Sequence, residues 1–183
     1  MLRKAIAALL LTVSPALAEG DGPGPNLIIE VGGAITGQIV IDLAIDAAPK
    51  HVAQIVALAQ AGAYDNVLFH RVIDGFMAQT GDVQYGKSGA DAAMAGMGGS
   101  DMPNLPAEFS EIGFDRGIVG MARAQDPDSA NSQFFIMFAP GEFLNGQYTV
   151  VGKVISGMEV VDAIAKGEPP ATPDMMSKVT VQE

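Results

Sequence analysis

The chain has 183 residues, 49% of them hydrophobic, and is long enough to form a single domain with a substantial core. It contains no cysteine and two histidines, which excludes disulfide frameworks, thiol catalysis and cysteine-ligated zinc and argues against a multi-histidine metal site. Its formal charge of −11 argues against nucleic acid as a partner, because phosphate contacts require clustered lysine and arginine.

The N-terminus has the three-part pattern of a secretory signal peptide. Residues 1–4 include the basic pair Arg-Lys, residues 5–13 are mainly apolar, and residues 16–18 supply Ala-Leu-Ala, the small-x-small pattern before a cleavage site. The apolar run is too short to span a bilayer, so a retained N-terminal anchor is the less favoured alternative. We predict a signal peptide over residues 1–18, export to the periplasm without stable membrane insertion, and a flexible Gly- and Pro-rich leader over residues 19–26.

A pair of β-rich segments follows at residues 27–31 and 38–43, separated by a glycine-rich stretch that is typical of a hairpin. In the second segment Ile39, Ile41 and Leu43 occupy alternate positions. Such alternation indicates a strand with one buried face.

Two helices and six further strands are predicted in the rest of the chain. The first helix begins at Pro49, whose missing N–H is harmless in a first turn, and ends at Gly62. The second covers residues 158–166 and stops before Gly167. The remaining strands are predicted at residues 69–73, 77–80, 118–121, 134–138, 149–155 and 178–181. This set favours a closed antiparallel barrel or a sandwich with helices packed on it, and the glycine-rich residues 83–106 are expected to form a functional or mobile loop.

Two segments carry dense sequence motifs. Residues 69–82 read Phe-His-Arg-Val-Ile-x-Gly-Phe-Met-x-Gln-x-Gly-Asp, and residues 121–136 contain Met-Ala-x-Ala followed by Ser-Gln-Phe-Phe-Ile. Both resemble the signature segments of cyclophilin-type peptidyl-prolyl cis–trans isomerases. Phe-Leu-Asn-Gly at residues 143–146 and Val-Gly-Lys-Val at residues 151–154 continue the resemblance in the expected order. The resemblance extends from about residue 27 to residue 164, and the first motif is too long for a chance match.

The resemblance implies a mainly β fold, a closed eight-stranded antiparallel barrel capped by two helices, formed within residues 27–183. It places a proline-binding groove on the outer surface of that barrel. It also implies an enzyme that accelerates rotation about X–Pro peptide bonds and assists the folding of exported proteins. The expected partners are proline-containing peptides and folding proteins, with no cofactor and no metal, and we expect a monomer.

The implied reaction requires no covalent step. The barrier to peptide-bond rotation, about 18–20 kcal/mol, arises from amide resonance, and a site that favours the twisted bond lowers it. In the twisted state the prolyl nitrogen gains a free lone pair, to which a guanidinium that stays protonated is a suitable donor. The position of Arg71 in the first motif assigns this catalytic role to it by resemblance.

The same resemblance assigns substrate binding to eleven residues: the proline-pocket residues Phe76, Met77, Phe135 and Leu144, the groove-closing residues Phe143 and Tyr148, and the polar or backbone contacts His70, Gln79, Ala122, Arg123 and Gln133. Gln79 would orient Arg71 or hold the substrate carbonyl. The backbone near Ala122 and Arg123 would bind the residues that precede proline. His70 faces away from Arg71 if its strand is regular, so a structural hydrogen-bonding role is an alternative for it.

Two alternative functions stay open from the sequence. A non-catalytic proline-peptide binding module, with chaperone or scaffold duties, would use the same groove, although the retained Arg71 argues against it. An unrelated exported structural β-protein would use the motif residues for packing. Phe143 stands where tryptophan is common in the family, so the indole N–H donor is absent and we expect weak binding of cyclosporin. Tyr148 and Arg123 stand where histidine and asparagine are common. Because the resemblance implies that position 123 acts through its backbone, we expect activity to be retained and substrate preference to shift.

Overall fold

The computed structural model describes residues 22–90 and 92–183, so the predicted signal peptide at residues 1–18 lies outside the described residues. Nine strands form a single antiparallel sheet: β1 (Asn26–Gly32), β2 (Gly37–Leu43), β3 (Val67–Leu68), β4 (Arg71–Ile73), β5 (Met77–Thr80), β6 (Ile118–Met121), β7 (Phe134–Met137), β8 (Val150–Ser156) and β9 (Met175–Gln182). Two α-helices accompany the sheet, α1 (Pro49–Gln60) and α2 (Met158–Ala163).

The sheet is curled. Hydrogen bonds connect its strands in the order β3-β9-β1-β2-β8-β6-β7-β5-β4, and the two end strands are separated in the chain by Phe69 and His70 alone. Three Cα–Cα steps of about 3.8 Å span at most about 11 Å, so the two edges of the sheet have to lie close together. The predicted mainly β fold with two helices is confirmed. The sheet is curled and has nine strands, and within the described residues β3 and β4 are not paired with each other.

The strand predicted at residues 69–73 is shorter than predicted: only Arg71–Ile73 forms a strand, β4, and Phe69 and His70 separate it from β3. The Phe69 N–H donates to the Asp174 carbonyl at 2.9 Å, next to β9, whereas Arg71–Ile73 pairs with β5. Because the chain changes its hydrogen-bonding partner at His70, one ladder cannot continue through this segment. The other predicted strands agree with the observed ones to within a few residues.

The described part of the predicted leader lies beside β2. The Leu43 N–H donates to the Pro25 carbonyl at 3.1 Å, and the Gly22 N–H donates to the Asp42 carboxylate at 2.9 Å. These hydrogen bonds bring the chain to the start of β1 at Asn26.

The two faces of the sheet pack into separate cores. The larger core fills the inside of the curl and includes Ile29, Ile39, Ile41, Val72, Ala78 and Ile136. The smaller core, on the outer face, consists of the buried residues Met77, Phe114, Ile118, Phe135, Met137, Leu144 and Val150. Adjacent residues such as Met77 and Ala78 belong to different cores, as the alternation of side chains along a strand requires.

The helices pack against the sheet, α1 on β9 and α2 on β2. As predicted, α1 begins at Pro49 and the chain turns away at Gly62, whose φ of 68° favours glycine. α2 ends at Ala163, earlier than predicted, because the Ala165 N–H donates to the Asp174 carboxylate instead of continuing the helix. Within the described residues, neither helix combines the length and hydropathy needed to cross a membrane.

The first turn of α1 is capped by a carboxylate from a distant loop. Glu108 Oε2 accepts hydrogen bonds from the Lys50 and His51 amides, both at 3.1 Å, and lies 2.7 Å from His51 Nδ1. Burial raises the pKa of the Glu108 carboxyl, but these hydrogen bonds outweigh burial and hold that pKa below its ordinary value. The ionised carboxylate therefore stabilises the otherwise unpaired amides at the helix start.

We expect Glu108→Gln to reduce the free energy of unfolding by about 1 kcal/mol at neutral pH, the usual size of a helix-cap effect. Because the pKa of Glu108 is lower in the folded chain than in the unfolded one, its stabilisation is complete above the unfolded pKa of about 4.3. This stabilisation is lost as the pH falls through the lower folded pKa. Urea unfolding at neutral and acidic pH, with exposed Glu111→Gln as the control, measures the difference. An equal loss of stability at both pH values would contradict the assignment.

Candidate active site

The strand register places four residues in one row on the sheet. Arg71 lies opposite Gln79, which in turn lies opposite Phe135. Phe135 lies opposite Gly120 on the next strand. Directly opposed residues of antiparallel strands project from the same face. The row lies on the outer face, because Phe135 belongs to the outer core.

An open cleft of about 250 Å³ lies over this row. Ten of the twelve predicted site residues line it: Arg71, Phe76, Met77, Gln79, Ala122, Arg123, Phe135, Phe143, Leu144 and Tyr148. Gln133 lines an adjoining recess that shares Gln79 with the cleft. His70 lines another recess, which shares Arg71 with the cleft. The structure therefore brings all twelve residues into one continuous region of the surface.

One end of the cleft is apolar. Met77, Phe135 and Leu144 are buried and form its floor. The rings of Phe76 and Phe143, with centroids 5.6 Å apart, stand at its rim, and Phe143 is 65% exposed. A compact apolar floor with an accessible rim is suited to a small apolar ring that enters from solvent.

A close approach at Gly120 supports this floor. The Phe114 and Phe135 rings stack with centroids 5.8 Å apart, directly over the Gly120 backbone. A Cβ at position 120 would lie 2.6 Å from each ring, so a larger residue would displace the stack. Sequence reasoning did not single out Phe114 or Gly120, although a glycine within an apolar strand is a signal of close packing.

The other end of the cleft is polar, and Arg71 is its cation. Arg71 Nε donates to Glu168 Oε2 at 2.8 Å, and Nη1 donates to Gln79 Oε1 at 3.4 Å. The Arg71 side chain is 42% exposed, so the guanidinium is held by polar contacts while it faces solvent. Sequence reasoning did not identify Glu168, which lies outside the motifs.

Two glutamines extend the hydrogen bonds of Arg71 across the sheet. Gln79 Nε2 donates to Gln133 Oε1 at 2.9 Å. Gln133 Nε2 then donates to the carbonyls of Gly96 and Gly98, at 2.9 Å and 2.7 Å. The predicted irregular loop at residues 83–106 therefore contacts the site through backbone carbonyls.

A buried carboxylate fixes that part of the loop. Asp82 accepts hydrogen bonds from the Gly96 and Gly98 amides at 2.7 Å and 3.0 Å. It also accepts from the Gln84 and Tyr85 amides at 3.1 Å and 2.8 Å. Asp82 is the last residue of the first motif, and its four amide contacts explain why a carboxylate stands there.

The wall opposite Arg71 is formed around Arg123. Its guanidinium lies 4.4 Å from the centroid of the Tyr148 ring and donates to the carbonyls of Ala124, Gln125 and Gln147. The Ala122 N–H donates to the Gln133 carbonyl at 2.9 Å. The cation–π contact and these hydrogen bonds hold the Arg123 guanidinium against the Tyr148 ring, where it forms a wall of the cleft.

His70 is buried and lies between the loop and Arg71. Neither of its ring nitrogens has a partner in good hydrogen-bond geometry among the described residues. Burial lowers the pKa of His70 and outweighs the nearby Asp82 carboxylate and the weaker hydrogen bonds to the Leu68 backbone and the Gln133 side chain, which raise that pKa. The imidazole is therefore a neutral group at neutral pH.

The cleft is suited to non-covalent chemistry. Ser132 is buried and donates its hydroxyl to the Gly81 carbonyl at 2.7 Å, so it is not paired with a base. His51 contacts Glu108 at the start of α1, and His70 is the other histidine. What the cleft offers a ligand is an apolar floor beside a fixed cationic donor, the features of a site that binds and polarises an amide.

The comparisons with known proteins agree with this description. A family model described as cyclophilin type peptidyl-prolyl cis-trans isomerase/CLD matches residues 27–183. A probable peptidyl-prolyl cis-trans isomerase of Brucella suis is 60% identical over 153 residues, covering 80% of this chain and 78% of the relative. A cyclophilin structure from Hirschia baltica is 29% identical, with a TM-score of 0.73, covering 87% of this chain and 74% of that chain. A Cryptosporidium parvum cyclophilin-type isomerase, solved in the presence of the dipeptide Ala-Pro, is 27% identical, with a TM-score of 0.72, covering 86% of this chain and 99% of that chain.

The curled antiparallel sheet with two helices is the fold of these cyclophilin structures. The chain belongs to the cyclophilin-type peptidyl-prolyl cis–trans isomerase family. It is a peptidyl-prolyl cis–trans isomerase, which accelerates rotation about X–Pro peptide bonds. The family and the enzyme class predicted from the motifs are confirmed, and the alternative of an unrelated structural β-protein is wrong.

We expect the His70 imidazole to titrate below the ordinary histidine value of about 6.5. Because its pKa is lowered on folding, the neutral ring stabilises the fold fully above about 6.5, and this contribution is lost as the pH falls through the folded pKa. NMR of the ring nitrogens against pH measures the midpoint, and His70→Asn identifies which of the two histidine signals is lost. A midpoint at or above the ordinary value would show that burial does not control this group.

Proposed function

We propose that this isomerase acts on proline-containing segments of exported proteins and that Arg71 is its catalytic residue. The observation that supports the catalytic role most directly is the position of the Arg71 guanidinium at the polar end of the cleft, next to the apolar floor of Met77 and Phe135. A proline ring on that floor would bring its ring nitrogen and the preceding carbonyl towards the guanidinium.

The apolar floor contributes to the proposed mechanism in two ways. It removes the proline ring from water, which provides binding energy without a requirement for sequence around the proline. It also disfavours the charge-separated resonance form of the amide, because an apolar environment solvates that form poorly. Weaker resonance means a lower barrier to rotation about the C–N bond.

Arg71 contributes the part of the mechanism that is selective for the transition state. In the planar ground state the prolyl nitrogen lone pair is delocalised and is a poor acceptor, whereas in the twisted state it is localised and accepts a hydrogen bond. The guanidinium stays protonated and presents several N–H donors in a plane. A rate increase of about 10⁵ over the slow uncatalysed reaction corresponds to about 7 kcal/mol, to which this hydrogen bond and the apolar floor would both contribute.

The remaining predicted site residues have proposed roles in substrate binding. Gln79 would orient Arg71 or hold the substrate carbonyl, and the backbone near Ala122 and Arg123, next to Gln133, would bind the residues that precede proline. Phe76 and Phe143 at the rim would cover the proline ring after it enters. The Cryptosporidium parvum relative was solved in the presence of Ala-Pro, which supports a proline-containing peptide as the ligand of this cleft as well.

We expect Arg71→Ala to lower kcat/KM by about 10²–10³-fold, the usual effect of the loss of one preorganised donor, while the peptide still binds to the intact apolar floor. Arg71→Lys should recover little, because an ammonium lacks the planar set of donors. NMR exchange spectroscopy on an Ala-Pro peptide measures catalysis and binding together.

The control for this experiment is Arg116→Ala. Arg116 forms an ion pair with Asp162 and does not line the cleft, so its removal should leave catalysis unchanged. If Arg71→Ala isomerised the peptide at the wild-type rate, Arg71 would not be the catalytic residue.

Export is proposed from the N-terminal sequence. We expect the full chain, produced in a Gram-negative host, to be recovered from the periplasm without residues 1–18, as a chain of 183 − 18 = 165 residues. Leu10→Arg would place a charge in the apolar run and should retain the uncleaved chain in the cytoplasm, whereas Leu10→Ile should be processed normally. Mass spectrometry of the periplasmic and cytoplasmic fractions distinguishes these outcomes. Wild-type chain recovered uncleaved from the cytoplasm would refute the proposal.

A further inference from the structure

The geometry points to Glu168 as a positioning residue that holds the Arg71 guanidinium in its orientation towards the cleft. This inference rests on the proposed catalytic role of Arg71 and adds a second residue to the machinery. Glu168 lies 97 positions further along the chain than Arg71, outside every motif segment, and its carboxylate makes the shortest hydrogen bond to that guanidinium.

Two hydrogen bonds define the plane of the Arg71 guanidinium. Glu168 Oε2 accepts from Nε at 2.8 Å, and Gln79 Oε1 accepts from Nη1 at 3.4 Å. A guanidinium carries five N–H donors, so two are used and three on the terminal nitrogens are left for a substrate. The 3.4 Å contact is at the weak end of the hydrogen-bond range, whereas the 2.8 Å contact is a charge-assisted bond of normal length. Glu168 therefore makes the larger contribution to the orientation.

The backbone places the two side chains next to each other. The Val72 N–H donates to the Gly167 carbonyl, and the Gly167 N–H donates to the Val72 carbonyl, both at 2.8 Å. This reciprocal bridge joins the residue that follows Arg71 to the residue that precedes Glu168. The paired backbone hydrogen bonds therefore bring the Glu168 backbone next to Arg71, and the two side chains, 42% and 52% exposed, then form the ion pair.

The exposure of Arg71 explains why it needs such a partner. At 42% exposure its long side chain is not confined by packing, and a flexible arginine samples many rotamers. An exposed ion pair adds only about 0–1 kcal/mol to the stability of the fold, so removal of Glu168 should leave folding nearly unchanged and any effect on catalysis can be measured separately. A misplacement of about 1 Å at a reacting group can reduce a rate by about 10²-fold, which makes orientation the larger effect.

A carboxylate beside the guanidinium also has an opposite effect, because its negative charge weakens the positive field at the substrate. The two effects predict different signs. If Glu168 acts by orientation, its removal lowers kcat, and if it acts mainly by charge neutralisation, its removal raises kcat. The sign of the change therefore tests the inference directly.

The experiment uses the full chain and an Ala-Pro peptide, with kcat and KM measured separately. We expect Glu168→Ala to lower kcat by about 3–10-fold with KM nearly unchanged, because the donor is misplaced while the apolar floor is intact. Glu168→Gln should recover part of the loss, since its amide oxygen still accepts from Nε. The matched control is Asp162→Asn, which removes the ion pair to Arg116 with similar exposure, 45% and 47%, away from the cleft and should leave kcat unchanged.

A double-mutant cycle separates this inference from the function on which it rests. In the Arg71→Ala background, Glu168→Ala should have no further effect on kcat, because the group that it positions is gone. An unchanged or raised kcat for Glu168→Ala alone, or an equal loss with and without Arg71, would overturn the positioning role. Wild-type activity of Arg71→Ala would instead overturn the proposed catalytic residue, so the two failures are distinguishable.

Discussion

The antiparallel register of β4, β5 and β7 is the constraint on which the site depends. It aligns Arg71, Gln79 and Phe135 on the outer face, and it aligns Val72 and Ala78 on the inner one. A shift by one residue would exchange the two faces, which would bury the Arg71 charge and expose the apolar residues of the large core. Each buried apolar side chain contributes about 1.5–3 kcal/mol, so the inner core, which takes no part in binding, specifies the arrangement of the cleft.

The outer core explains why the apolar end of the cleft is already formed without a ligand. Phe135 is held by the stack with Phe114 and by a T-shaped contact with the Tyr148 ring, with centroids 5.9 Å apart. Packing of this density leaves the ring little freedom. Under the proposed function, a proline ring would bind without rearrangement of the floor, and the ordering cost would fall on the exposed side chains of Phe143 and Arg71.

The sequence was sufficient for the features that are encoded locally. The alternation in β2, the Pro49 start of α1 and the order of the motifs lead to the fold and to the residues of the cleft. It was insufficient where the determining contact is distant or made by the backbone. The carbonyls of Gly96 and Gly98 that hold Gln133 leave no side-chain signal, and Glu168 reaches the site only because Gly167 pairs with β4. The break at His70 was missed because a change of strand partner does not alter the local β-rich pattern.

The hydrogen bonds that connect Arg71, Gln79 and Gln133 all run in one direction, from donor to acceptor, and the chemistry of arginine sets that direction. A guanidinium only donates, so Gln79 has to present its amide oxygen to Arg71 and its amide nitrogen to Gln133. The Gln133 oxygen is then used, and its nitrogen needs acceptors, which the Gly96 and Gly98 carbonyls supply. The amides of the same two glycines donate to Asp82, an acceptor-only carboxylate. A chain that begins at a pure donor and ends at pure acceptors admits one orientation of both glutamines, because a flip of either amide would place two donors or two acceptors face to face. The buried Asp82 therefore holds the loop in the position from which its carbonyls orient Gln133 and Gln79, the weaker of the two attachments of Arg71.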